Sequence, residues 1–146
     1  MAFSHEKLIV YQKSIKFNRS TYKLIKKRKI KGDLRDQVSR ASHNIALNIA
    51  EGNGKFYNRD RANFLRRASG SATERAGCLD LMVTEDKISN EEAIREKVIL
   101  EEIVRILTRM SKNLTSGAVK EEGEGYGNEQ DLSSLEPELW KDEEKD

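Results

Sequence analysis

Nothing in the first 136 residues prevents long helices, because the chain's only proline is Pro137. Proline removes a backbone donor and clashes with the preceding turn, so its absence leaves helix length to the apolar pattern. That pattern has a helical period throughout, and no stretch alternates as a half-buried strand does. Four segments emerge. The first, from about Glu6 to Arg28, carries Leu8, Tyr11, Ile15, Tyr22 and Ile25 at helical spacing, with Asn18 completing the series. Val10, Phe17 and Leu24 form a parallel row seven apart, so a wide stripe is predicted to pack on more than one neighbour. Gly32 is expected to end it.

The second segment opens at Asp33, expected as its N-cap, and its face is Leu34, Val38, Ala41, Ile45 and Ile49. It is expected to stop before Gly52 and Gly54. The third follows a short loop with Asn58 as the expected cap. Its stripe is Ala62, Leu65, Ala68, Ala72, Ala76, Leu79 and Val83, with an unusually small middle, ASGSA, at 68–72. Gly70 and Gly77 each cost about 1 kcal/mol of helix propensity relative to alanine, so a packing reason is expected for them. The fourth begins at Ser89, where Glu92 three residues on completes a capping-box pattern. Ile99, Ile103, Ile106, Met110 and Leu114 form its stripe, extended toward the start by Ile94 and Val98. Glu91–Arg95 and Glu101–Arg105 are spaced for i,i+4 pairing. Four such helices joined by short turns predict an all-α, antiparallel up-down-up-down bundle over residues 1–116.

Charge divides the chain a second way. Residues 1–120 hold 25 Lys+Arg and 14 Asp+Glu, a net +11, whereas residues 121–146 hold 2 Lys and 11 Asp+Glu, a net −9. Residues 117–146 are therefore read as a separate Gly-rich, acidic linker and tail, expected to be disordered when unbound. Two readings of its end, DLSSLEPELWKDEEKD, stand side by side: a solvated tail, or a short motif that docks on this or another protein.

Catalytic chemistry has little to work with. His5 and His43 are far apart, no phosphate-binding glycine loop or nucleophile motif occurs, and no metal-ligand spacing is present, so no enzyme, cofactor or metal is expected. Cys78 is the lone cysteine, flanked by small and apolar residues and expected to be buried and inert. It favours a reducing compartment. Without a membrane-length apolar run or a cleavage-site pattern, a cytoplasmic location is expected.

The basic body points instead to a polyanion. Residues 13–35 hold ten Lys+Arg (Lys13, Lys16, Arg19, Lys23, Lys26, Lys27, Arg28, Lys29, Lys31, Arg35) against one acid, Asp33. Lysines at a helix C-terminus complement its dipole, which accounts for one or two of the six cations between 23 and 31. Phosphate contacts from this patch are expected to be sequence-nonspecific and salt-sensitive. The competing reading is a merely solvated face. A second set, Lys55, Arg59, Arg61, Arg66 and Arg67, falls at the other end of the hairpin. There Phe56 and Tyr57 either stack on an unpaired base or anchor the loop. Arg40, Asn48, Glu51 and Glu74 read as structural. An Arg40–Glu74 ion pair is predicted between helices two and three, with Asn48 and Glu51 tying the end of helix two to its loop.

The segments LRDQVSRASHNIALNIAEGNGK (34–55), RANFLRRASGSATE (61–74) and the opening LIVYQKSIKF (8–17) resemble the four helix bundle protein family, whose founding members are encoded within intervening sequences of bacterial 23S ribosomal RNA genes. The resemblance spans about residues 3–116. It departs from the family at Leu47, where members often carry proline, which predicts a straighter second helix. It implies a homo-oligomeric ring, usually a pentamer, with a non-enzymatic, RNA-associated role. A related branch serves as accessory protein to the reverse transcriptase of diversity-generating retroelements, which implies the alternative of a protein adaptor, with the acidic tail as a tether.

Overall fold

A computed structural model describes residues 3–116; both readings of the acidic tail lie outside the described residues. A short 3-10 turn, Ser4–Lys7, leads into four helices: α1 (Ile9–Lys27), α2 (Gly32–Asn53), α3 (Asn58–Thr84) and α4 (Asn90–Thr115). Among the described residues there are no strands. Sequential helices pack antiparallel, α2 on α3 and α3 on α4, while α1 closes the bundle against α2 and α4.

The core is the sum of four stripes. On α1 the buried row is Val10, Phe17 and Leu24, whereas Ile15 and Tyr22 face solvent. The seven-residue row is thus the centre of the core face, widened by buried Leu8 and by half-buried Tyr11 and Ile25 from the longer series. It meets Val38, Ala41, Ile45 and Ile49 of α2, Ala62, Leu65, Ala68, Ala72 and Leu79 of α3, and Ile99, Ile103, Ile106, Met110 and Leu114 of α4. Each large side chain so enclosed stabilises the fold by about 1.5–3 kcal/mol. Leu47, where a proline would remove a helix hydrogen bond, is exposed on an unbroken helix.

The turns differ from the sequence expectation. Gly32 does not end α1. The helix is capped at Arg28, with Lys29 in the left-handed region (φ 52°) and the Ile30 and Lys29 amides donating back to the Ile25 and Lys26 carbonyls at 3.0 and 3.4 Å. This is a Schellman end, and buried Ile30 closes the core beneath it. The end of α3 repeats it, with Asp86 at φ 58° and Ile88 as the plug. Asp33 is not the N-cap of α2. Lys31 takes that place, and Gly32 (φ 66°) already begins the helix. Tyr57, not Asn58, precedes α3. Helix α2 continues through Gly52 to Asn53, and α3 approaches so closely there that a Cβ on Gly52 would lie 2.8 Å from the Phe64 Cβ and 3.2 Å from the Arg61 carbonyl. The Ser89–Glu92 capping box forms as expected.

Candidate nucleic-acid interface

The first basic cluster does not act as one surface, because helix phase sends its members in different directions. Lys13 sits three residues after Val10 and four before Phe17, so it enters the core. It is 2% exposed, and its Nζ lies 2.8 Å from Glu102 of α4. Arg28 is tied down at the turn, its Nη2 donating to Glu92 at 2.7 Å. Burial works to raise the Glu92 carboxyl. The bonds it accepts from Ser89 and Arg28 outweigh that, and its pKa falls below the ordinary 4.5. Arg28 is therefore largely neutralised where a free cation was expected. Lys23 is half-buried. What stands clear is Lys26, Lys27, Lys29, Lys31 and Arg35, all exposed across the α1–α2 turn. Lys26 lies over the exposed Tyr22 ring, 5.3 Å from its centroid. The neighbouring α3–α4 turn, at the same end, carries exposed Glu85, Asp86 and Glu91, so the potential there is split: basic over one hairpin, acidic over the other.

The second set gathers at the far end of α2, about 33 Å away at 1.5 Å per residue of helix. Arg59, Arg66 and Arg67 are exposed. Arg61 turns inward, its Nε donating to the Lys55 carbonyl at 2.7 Å. Lys55 and Arg67 lie over the Phe64 ring, at 5.0 and 4.5 Å from its centroid, and Lys55 reaches Glu51 at 3.8 Å. Phe56 and Tyr57 are 75% and 66% exposed and pack edge-to-face on each other. They do not anchor the loop in the core.

The structural quartet is corrected in part. Arg40 and Glu74 are both exposed, and among the described residues no ion pair joins them. Glu74 is one position out of phase: Arg75, 100° further round the helix, enters the core. Asn48 bonds back along its own helix to the Asn44 carbonyl at 2.8 Å rather than to the loop. Glu91–Arg95 and Glu101–Arg105 do not pair among the described residues; the exposed ion pair of α4 instead crosses to α3, Lys97 to Asp80 at 2.6 Å. Gly70 and Gly77 have nothing within 4 Å of a Cβ position, so among the described residues there is no packing reason for them. Ile94 and Val98 are exposed rather than part of the core stripe.

Arg75 is the residue that the sequence reading missed. Wholly buried, it pairs with Glu96 of α4 at 2.8 Å, donates to the Thr21 hydroxyl of α1 at 3.1 and 3.3 Å, and lies 5.0 Å from the Phe17 ring centroid. Burial pulls its guanidinium below its ordinary pKa, against the opposing pull of Glu96. With Lys13–Glu102, and with Ser42 donating to Asn18 at 2.9 Å between α1 and α2, it forms a polar layer that fixes the register of α1. Cys78 is buried as expected, and burial pushes its thiol up. His43 is exposed. Among the described residues no group of His, Cys, Asp and Glu could hold a metal ion, and no helix is long and apolar enough to cross a membrane.

The 23S rRNA-intervening sequence protein model matches residues 6–109, the whole bundle apart from its two ends. The chain belongs to this family. Among solved structures, a protein of unknown function from the S23 ribosomal protein family of Bacteroides thetaiotaomicron superposes with a TM-score of 0.65 at 24% identity, over 71% of this chain and 99% of that one. At that identity the likeness establishes the fold. No curated protein matches the chain.

Proposed function

We propose that this protein is a non-enzymatic, homo-oligomeric scaffold that holds structured RNA through the phosphates. The observation that carries the reading is the row Lys26, Lys27, Lys29, Lys31 and Arg35, exposed together on one turn after the core has claimed Lys13 and Glu92 has claimed Arg28. Lys29 bears most on the argument. It occupies the left-handed C′ position of the helix end, where glycine is favoured and another residue costs roughly 1–2 kcal/mol. A lysine there works against the backbone and adds a cation to the row. The exposed pair Phe56 and Tyr57, beside Arg59, offers two ring faces to an unpaired base at the other end.

Self-association is supported by a different face. Gly70 and Gly77 have open Cβ positions on α3 near a groove of about 400 Å³ whose small and apolar floor, Ala72, Ala76, Leu100 and Val104, is rimmed by Thr73 and the charged Lys97, Glu101 and Arg105. Exposed Leu81, Ile94 and Val98 flank the same two helices. Small residues on one copy accept large apolar ones from the next, so repeated copies would multiply weak phosphate contacts by avidity. 

Ultraviolet crosslinking of the full chain to structured RNA tests the reading. Crosslinked peptides are expected from residues 23–35. Absence of binding even at low salt would overturn it in favour of the protein adaptor.

A further inference from the structure

The second basic end has an anion supplied by the chain itself. Helix α3 begins and α4 ends beside one another, and between them lies a cleft of about 590 Å³ lined by Arg59, Asn63, Arg66, Leu114 and Thr115. None of these lining residues is acidic. Among the described residues Arg66 donates to Asn63 alone, at 3.2 Å. Arg59 stands in the first turn of α3, where the helix macrodipole is already positive and a cation is locally unfavourable. Arg59 thus stands where the helix end disfavours a cation, Arg66 lines the same cleft, and among the described residues no carboxylate lines it to offset the two charges.

The chain leaves the described bundle at this same place. Thr115 ends α4 and lines the cleft. The sequence continues with GAVK (117–120) and then Glu121, Glu122, Glu124, Glu129 and Asp131. Residue 121 is five positions beyond Ser116, a reach of at most about 17 Å when extended. Attachment so close gives these carboxylates an effective concentration on the order of millimolar at the cleft. The first basic end, about 33 Å off along α2, is far less favoured by this tether.

We infer that residues 121–131 dock on the Arg59–Arg66 cleft, so that the free protein shows phosphates the α1–α2 turn and withholds the opposite end until a polyanion displaces the segment. This extends the phosphate-binding reading to the second end, as a built-in competitor. Contacts of this kind between exposed groups are individually weak and screened by salt, which makes the segment displaceable.

The test compares the full chain with its variant Glu121→Gln, Glu122→Gln, Glu124→Gln, Glu129→Gln, Asp131→Asn. The arginine Nε–Hε resonances are recorded at low and high salt without nucleic acid. The Arg59 and Arg66 signals are expected to shift in the variant while Arg35 stays in place, and high salt should bring the wild type to the variant's positions. Identical Arg59 and Arg66 signals in the two proteins at low salt would overturn the inference. In a second arm the variant should bind structured RNA more tightly at low salt, on the order of tenfold for a few released exposed pairs, and Arg59→Gln with Arg66→Gln should remove that gain. If the arginine shifts appear and neither protein binds RNA, the docked segment stands and the RNA reading falls.

Discussion

Replacing Glu96 with alanine should be among the most damaging single changes in the protein, and more damaging than removing its partner. Arg75 is wholly enclosed, while Glu96 retains 12% exposure at the rim of the bundle. Among the described residues, the guanidinium in Glu96→Ala keeps only the Thr21 hydroxyl and the Phe17 ring, and its Nη1 already lacks a hydrogen-bond partner there. A buried charge stripped of its counter-ion costs about 3–5 kcal/mol. In Arg75→Met the apolar stem is largely retained and Glu96 can turn to water, so about 1–2 kcal/mol is expected. The double variant Arg75→Met, Glu96→Leu should fall within about 1 kcal/mol of wild type, because the desolvation cost of both ions disappears with their attraction. Urea unfolding followed by far-ultraviolet circular dichroism, at one protein concentration to hold any assembly constant, measures all three. Glu96→Ala within 1 kcal/mol of wild type, or a larger loss in Arg75→Met, would refute the reasoning.

Lys29→Gly should raise stability by about 0.5–1 kcal/mol by relieving the left-handed backbone, less the extra entropy of the unfolded glycine. It should also weaken RNA binding; a variant that gains stability and loses no affinity would remove Lys29 from the interface. Gly52→Ala should destabilise by about 1–3 kcal/mol, since its Cβ meets Phe64 at 2.8 Å and a backbone carbonyl at 3.2 Å. Gly70→Ala, whose Cβ would meet nothing among the described residues, should gain about 1 kcal/mol of helix propensity at dilutions where copies are dissociated; thermal melts there compare the two. The Glu92 carboxyl, held below its ordinary value of 4.5, contributes stability that is complete above that pH and is lost as pH falls through the lowered folded value. Glu92→Gln should therefore flatten the acid limb of a stability–pH profile, and an unchanged limb would rule out the contribution.

The helices and the bundle were legible because apolar spacing in a proline-free chain carries both. The capping box at Ser89 was equally plain, since it needs only two residues at a fixed separation. The helix ends were not: Lys29 and Asp86 take left-handed positions that local sequence assigns to glycine, so the reading looked to Gly32 instead. The polar layer was hidden for a different reason. Lys13, Arg75, Glu96 and Glu102 all lie in phase with the apolar stripes, Arg75 three residues after Ala72 and four before Leu79. Charged type argued for the surface while position argued for the core, and position prevailed because each base found an acid on α4. The same phase argument, applied to every cation, would have taken Lys13 out of the basic cluster counted over residues 13–35.

The central claim is that the five exposed cations of the α1–α2 turn neutralise RNA phosphates. The salt dependence of affinity counts such contacts, at about −0.7 to −0.9 in log–log slope for each phosphate. Wild type is expected to show a slope steeper than that of Lys26→Gln, Lys27→Gln, Lys29→Gln, Lys31→Gln, Arg35→Gln by about 3.5–4.5. Equal slopes for the two proteins would contradict the account.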